Sequence, residues 1–528
     1  MRRRELFDPL RPDHALRSIL NVSRFGPFAG VVASVAQRNP DAPAIEDERG
    51  TLSYGEVDGQ ANALARGLAA RGTTPGSVVA LLARDHRGLV LPLLACGKLG
   101  VRVVLMNTGF AKPQFADVTK REKVGAVLHD SEFVDLLNAI PHEVPRILTW
   151  VDERDGVDPT TLTLDGLIAG RSVDKIDPPK RPGGMVVLTS GTTGTPKGAP
   201  RDKVSVLSSA QFVDRVPIPH GGTVVMAAPI FHSTGLSQFT IALALECKVV
   251  FQQRRFDPEA TLRNIADHRA DVLVVVPTML QRIVDVGADV LDRYDTSSLR
   301  VVFAAGSSIS PDLSRRTEET FGEVLYNLYG STECAVATVA TPEDMRLAPG
   351  TVGRPPVGCR VAIYDENRRP ITEPDVTGTI FVSSGLSFAG YTDGRHKEIV
   401  DGLLSSGDVG HFDRNGLLFV DGRDDDMIVS GGENVFPQEV EHLLSERPDV
   451  RDVAVIGVDD PAFGKRLRAF VVPAPDAARD EREIKDYVKA NLARYKVPRD
   501  VVFIDELPRN ATGKVLRNKL AEIDAGTG

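Results

Sequence analysis

The chain has 528 residues, 42% of them hydrophobic and 26% charged, enough to bury the core of more than one globular domain. Its 72 acidic against 63 basic residues leave a net charge of −9, and no Lys/Arg run extends beyond residues 2–4, which excludes a nucleic-acid footprint. The four cysteines, Cys96, Cys247, Cys334 and Cys359, show no CxxC spacing, so they form neither a disulfide framework nor a zinc site and read as small hydrophobes of a reducing compartment.

The first residues pass from arginines directly into Glu5, Asp8 and Asp13, without the apolar core of a signal peptide. No apolar stretch reaches the roughly 18 residues of a membrane helix, so the expected location is cytoplasmic. Residues 15–37 scatter apolar positions around two arginines and read as a surface helix, a peripheral lipid contact being the alternative. Across residues 52–72, Ala61, Leu64, Ala65 and Leu68 recur at helical spacing and stop at Gly72, and residues 77–82 then read as a buried strand. Strand-like segments follow at 101–106, 185–188, 224–228, 272–276 and 301–304, which predicts a large α/β body of parallel or mixed sheets. From about residue 377 the pieces shorten (379–383, 417–420) into a small β subdomain. The polar knot at 422–426 marks a domain boundary. Beyond it, helix 437–444, strands 454–458 and 468–472, helix 481–492 and strand 501–504 predict an α+β domain of roughly 100 residues.

The most telling segment is TSGTTGTPKG at residues 189–198. Its glycines let backbone N–H groups approach a ligand, Thr189, Ser190, Thr192 and Thr193 offer hydroxyls, and Lys197 adds a point charge, which together suit a triphosphate. It is not a Walker loop, because Pro196 precedes the lysine and Gly198 follows it. In order, the chain then carries PIFHSTG at Pro229, YGSTE at Tyr329, SGD at Ser406, GRDDDMIVSGGENVFPQEVE at Gly422 and LPRNATGKVLR at Leu507. Singly these residues have plainer readings: Tyr329 as a core aromatic, Asp408 as a loop cap, His232 as structural, Lys514 as solvated surface. As an ordered set spanning residues 52–520 they resemble the adenylate-forming superfamily of acyl-CoA synthetases, peptide-synthetase adenylation domains and beetle luciferases.

The resemblance implies an α/β fold: a large N-terminal AMP-binding domain over residues 1–424, with mixed and parallel sheets and a small β-barrel-like subdomain, then a small mobile α+β domain over 425–528. It implies ATP, Mg²⁺ and coenzyme A as reactants. Thr189, Ser190, Gly191, Thr192, Thr193, Gly194 and Lys197 would hold the β- and γ-phosphates, with Thr332 at the α-phosphate and Glu333 on Mg²⁺. Ser307, Ser308, Tyr329 and Gly330 would line the adenine, Gly306 and Ser331 would belong to the same ATP/AMP site, and Asp408, helped by Arg423, would accept from the ribose hydroxyls. Lys514 would stabilise the phosphorus as the carboxylate attacks, and His232 would stand beside the acid or the thiol tunnel. Asp425 matches the hinge, and Gly431, Gly432, Glu433 and Asn434 would line the path of the CoA arm.

The sequence departs from the family pattern before the ribose aspartate, at residues 403–406, and at Lys465. An apolar acid pocket is expected among Phe231, His232, Gly235, Leu236, Phe239, Ala304, Ala305 and Gly306, with no charge to select an amino acid. The resulting expectation is a medium- or long-chain fatty-acid CoA ligase that releases pyrophosphate and then AMP. An aryl-CoA ligase and a fatty acyl-AMP ligase serving a carrier-protein thiol are the alternatives.

Overall fold

The computed structural model describes the chain apart from residues 1–11, 152–157, 159, 190–196, 201–212, 254, 389, 393, 395, 424–427, 431–432, 461–463, 476, 493–495, 511–512 and 524–528. An eight-stranded sheet runs in the order Thr338–Ala340, Leu325–Tyr329, Val301–Ala305, Val272–Val275, Thr223–Met226, Lys248–Phe251, Pro43–Asp47, Gly50–Ser53. Its inner pairs are parallel and its two outermost pairs antiparallel. A six-stranded sheet, Arg146–Trp150, Ala126–Asp130, Val78–Leu82, Arg102–Leu105, Met185–Thr189, Lys197–Pro200, is parallel except for its last hairpin.

One apolar core joins these two sheets. Val79 and Leu81 of the smaller sheet share it with Val224 and Met226 of the larger, whereas the alternate residues Ala80, Leu82 and Val225 face separate outer cores. The strand period of two thus divides each strand between a shared inner face and a private outer one. Helices Tyr54–Ala70, Arg87–Leu99 and Ser233–Ala244 contribute to the shared core. The first begins on a capping box, Ser53 accepting from the Glu56 N–H and Glu56 from the Ser53 N–H.

Residues 15–37 form two helices rather than one. Gly26, at φ 83°, breaks Pro12–Phe25 from Pro27–Arg38, a backbone angle that favours glycine. The second helix is buried through Phe28, Val32 and Val35, and the first leaves Leu16, Ile19 and Leu20 exposed. No helix among the described residues is long and apolar enough to cross a membrane.

The β subdomain begins earlier than its sequence texture suggests, at Arg360–Tyr364, and holds six strands. Its central strand, Leu403–Phe412, absorbs the SGD motif that reads as a loop in sequence, and it pairs with Leu418–Arg423 so that Asp408 stands opposite Arg423. In the C-terminal region the long hairpin Val450–Asp460/Gly464–Pro473 takes Asp500–Phe503 as a parallel neighbour. Helices Pro437–Ser445 and Glu481–Asn491 bury Val440, Leu444, Ile484 and Val488 in the same small core as residues of this sheet.

Candidate active site

The parallel strands of the larger sheet end on a cleft of about 1600 Å³. Gly306, Ser307 and Ser308 line it after strand Val301–Ala305, residues 330–333 after Leu325–Tyr329, and His232 after Thr223–Met226. The carboxyl ends of parallel strands are the usual ligand edge of an α/β sheet. Lys197, Asp408 and Arg423 reach the cleft from other elements, and Lys514 reaches it from the C-terminal region. The described motif residues therefore converge on one space from positions more than 300 residues apart.

Two tyrosines brace the carboxylates. The Tyr329 hydroxyl donates to Asp408 at 2.6 Å, and the Tyr391 hydroxyl donates to Glu333 at 2.6 Å. Ser331 accepts from the Glu333 and Cys334 N–H groups at 3.2 and 3.3 Å, which fixes the turn carrying Glu333. The Lys197 ammonium lies 5.0 Å from the Tyr391 ring centre, a cation–π distance. Burial raises the Asp408 carboxyl above its ordinary value, against the lowering effects of the Tyr329 hydrogen bond and the Arg423, Lys397 and Lys514 charges. Burial, reinforced by Asp408, also raises the Tyr329 phenol, so Tyr329 remains a donor.

His232 precedes helix Ser233–Ala244 and lies 4.4 Å from the Phe231 ring. Burial depresses its pKa to about 4, so the imidazole is neutral near pH 7 and cannot hold a carboxylate by charge. Its Nε2 is buried without a hydrogen-bond partner among the described residues, a polar atom left for a ligand.

Lys514 sits on a turn that closes on itself. The Lys514 N–H donates to the Asn510 side-chain oxygen at 2.9 Å, and the Asn510 N–H donates to the Lys514 carbonyl at 2.9 Å. Arg509 ties the turn to its own domain, donating to the Gly513 carbonyl at 2.6 Å and to both Asp452 oxygens at 2.7 and 2.9 Å. Gly513, at φ 77°, rests on the far wall: a Cβ there would stand 2.0 Å from the Thr278 hydroxyl oxygen.

Thr189 closes strand Met185–Thr189 opposite Lys197, while Ser190, Gly191, Thr192, Thr193 and Gly194 lie outside the described residues. Asp425, Gly431 and Gly432 also lie outside them. Glu433 and Asn434 fall in strand Glu433–Val435.

The cleft wall corrects the sequence expectation for an acid pocket. His232, Gly235, Leu236, Ala305 and Gly306 line the cleft, but Phe231, Phe239 and Ala304 do not. Strand alternation decides it: Phe303 and Ala305 face the shared core and the cleft, and Ala304 faces the outer core. Phe239 is fully buried on a helix whose residues 233–237, 240 and 241 form the wall. Thr278, Tyr391 and Lys397 also line the cleft. They stand outside every motif, and nothing in the sequence marks them.

The chain matches the AMP-binding enzyme family over residues 32–392, and the AMP-binding enzyme C-terminal domain over 439–514. The chain belongs to the AMP-binding enzyme family. It is 32% identical over 508 residues to an indoleacetate–CoA ligase of Aromatoleum aromaticum, covering 92% of this chain and 96% of the relative. It is 30% identical over 496 residues to a feruloyl-CoA synthase of Amycolatopsis sp, covering 92% and 96%. The o-succinylbenzoate CoA synthetase of Bacillus subtilis, solved with its acyl-adenylate OSB-AMP, superposes with a TM-score of 0.80 at 27% identity, covering 94% of this chain and 98% of that one. The same synthetase solved with ATP and magnesium gives 0.78 at 28% identity, covering 93% and 98%. The fold of this AMP-binding enzyme is thus that of adenylate-forming ligases, with the large mixed-sheet region, the half-barrel and the small C-terminal region in family order.

Proposed function

We propose that this AMP-binding enzyme converts an aromatic monocarboxylic acid, with ATP, Mg²⁺ and CoA, into its aryl- or arylalkyl-CoA thioester. Acid–CoA ligation through an acyl adenylate is the activity of its relatives along nine-tenths of the chain. The observation that carries the aromatic reading is the arm of the cleft along helix Ser233–Ala244. Its lining residues from His232 to Ile241 span about 14 Å along the chain at 1.5 Å per residue. Phe28, Met185, Val187, Phe303 and Leu328 also line the cleft, whereas no Lys, Arg, Asp or Glu occurs among wall residues 233–241. Ser237 and Thr240 donate their protons to the Thr234 and Leu236 carbonyls at 2.9 and 2.7 Å, and with those bonds kept their oxygens face a ligand as acceptors. A flat apolar ring carrying an N–H or O–H donor suits such a wall. The fatty-acid reading rests on the same apolar length, but leaves those acceptors unused.

In the first half-reaction the carboxylate attacks the α-phosphorus and pyrophosphate departs; in the second, the CoA thiol displaces AMP. Lys197 and the 189–194 segment would hold the β- and γ-phosphates, Thr332 the α-phosphate, and Gly306, Ser307, Ser308, Tyr329, Gly330 and Ser331 the adenine. Asp408 would take the ribose hydroxyls with Arg423, and Lys514 would stabilise charge on the α-phosphate as the new bond forms. Neutral His232 would donate a hydrogen bond rather than a charge. Glu333 is the residue to hold Mg²⁺. It lines the cleft, Tyr391 orients it, and no cluster of three or more metal-ligating side chains exists among the described residues. That fits Mg²⁺, which commonly uses one or two carboxylates together with nucleotide phosphates and water. When bound, the ion would neutralise phosphate charge. In the second half-reaction Asp425 would act as hinge, and Gly431, Gly432, Glu433 and Asn434 would line the CoA path once the Lys514 turn has withdrawn.

The test is a product assay with ATP, Mg²⁺, CoA and indole-3-acetate, ferulate, octanoate or palmitate, each thioester being measured by mass spectrometry. The expected result is aryl-CoA formed with kcat/KM at least tenfold above either fatty acid. A preference for octanoate or palmitate would overturn the aromatic reading.

A further inference from the structure

One buried contact joins the two large sheets at the PIFHSTG turn, and its acceptor, Asp85, stands outside every motif. Asp85 lies between strand Val78–Leu82 of the smaller sheet and helix Arg87–Leu99. Both its carboxylate oxygens lie 3.1 Å from the backbone N of Ile230, 145 residues further along the chain. Ile230 is fully buried and belongs to the turn after strand Thr223–Met226 of the larger sheet. In that turn the His232 N–H donates to the Pro229 carbonyl at 3.1 Å, and the Leu236 N–H to the His232 carbonyl at 2.9 Å. From the other side, Ala227 and Ala228 both donate to the Val274 carbonyl at 3.0 Å. The segment that delivers His232 is therefore fixed at one end by its own sheet and at the other by Asp85.

Asp85 is itself held from both flanks. Asp130 accepts from the Arg84 N–H at 2.7 Å, lies 3.1 Å from His86 Nε2, and takes the Thr149 hydroxyl at 2.6 Å. The Arg84 guanidinium is engaged elsewhere, by Glu132 at 2.9 and 3.0 Å, and the His86 ring packs on Trp150 at 4.4 Å. These contacts anchor the residues on either side of Asp85 and aim its carboxylate across the sheet-to-sheet boundary.

We propose that Asp85 is a positioning residue for the acid site: by accepting the Ile230 N–H across the boundary between the two sheets, it sets the height of His232 and of the first turn of the helix that forms the acid arm. This inference rests on the assignment of that arm to the acid. Asp85 is not among the residues lining the cleft, and among the described residues its carboxylate accepts from the Ile230 N–H alone, so its removal should act on the acid and spare ATP. Removing the acceptor leaves a buried N–H unpaired, a penalty that the turn can relieve only by moving.

The experiment uses the full chain and compares Asp85→Ala with Asp85→Asn, which retains an acceptor oxygen. Steady-state kinetics with the best acid should show its KM raised about tenfold in D85A, with kcat changed less than threefold and the KM for ATP within twofold of wild type. D85N should restore the acid KM to within twofold. Hydrogen exchange over residues 228–236, measured without substrate, should accelerate about tenfold in D85A and stay near wild type in D85N. Because that readout requires no turnover, it tests the clamp even where no acid is turned over, the outcome that would sink the ligase reading instead. Unchanged exchange over 228–236 in D85A would overturn the proposal. So would equal rises in the KM of acid and ATP without rescue by D85N, the pattern of a residue that merely holds the fold.

Discussion

The side of the cleft that carries Asp408 and Glu333 is braced over long range, Tyr329 to Asp408 and Tyr391 to Glu333, each at 2.6 Å between different elements. The lysine side is braced locally, Lys514 by Asn510 and the turn by Arg509 and Asp452, all within the C-terminal region. The difference is mechanical. A turn whose backbone is braced by its own domain can leave the cleft as a unit, and the carboxylates it leaves behind keep their tyrosine partners. The tightest approach across the boundary that the glycines reveal is Gly513 on Thr278. Such a boundary suits a two-step reaction in which the lysine serves the first step only.

The largest effect that could break this comparison concerns the lysine itself. Lys514→Ala should lower acid-dependent ATP–pyrophosphate exchange by about 10²- to 10³-fold, the scale of a lost transition-state charge, while thioester formation from supplied acyl-adenylate stays within about threefold. Equal losses in both steps would place the lysine in a fixed site. Next, Gly513→Ala should reduce exchange by about tenfold to thirtyfold, because its Cβ would collide with Thr278 and the left-handed angle would add about 1 kcal/mol of strain. Thr278→Gly in that background should recover part of the loss. On the braced side, Tyr329→Phe removes a hydrogen bond to a carboxylate and should raise the KM for ATP by about tenfold, leaving the KM for the acid unchanged.

The smallest expected effect is a pH slope. Burial pushes the Asp85 carboxyl up to about 7, against the lowering influence of the Ile230 N–H, His86 and Arg84, with Asp130 adding to the rise. An unfolded aspartate titrates near ~4, so between roughly pH 4 and 7 the folded state binds the extra proton. Stability therefore falls as pH rises through that window and levels off above it. Asp85→Asn should flatten this part of the thermal-melting profile by a few degrees relative to wild type; an unchanged slope would assign it to other groups.

Much of the site was legible because its chemistry is carried by short motifs, which placed Glu333, Asp408, Lys197 and Lys514 without any structure. The strands were legible too, since buried parallel strands appear as continuous apolar runs such as 272–276. Tyr391, Lys397 and Thr278 were not, because each reaches the cleft only through tertiary neighbours that no local pattern encodes. The exchange of Ala304 for Phe303 in the cleft wall was recoverable: a run of buried residues hides its alternation when both faces of the strand are covered, but Ala305 and Gly306 at its end fix the phase. Asp408 reads as a loop residue because Ser406 and Gly407 mimic a turn, yet Gly407 is a positive-φ irregularity within a ten-residue strand.

The central claim is most directly tested by withholding CoA. Wild-type protein mixed with ATP, Mg²⁺ and indole-3-acetate should release one pyrophosphate per active site, retain aryl-AMP, and produce aryl-CoA and AMP in equal amounts when CoA is then added. Release of ADP and phosphate, or a bound adenylate that CoA fails to discharge, would contradict it.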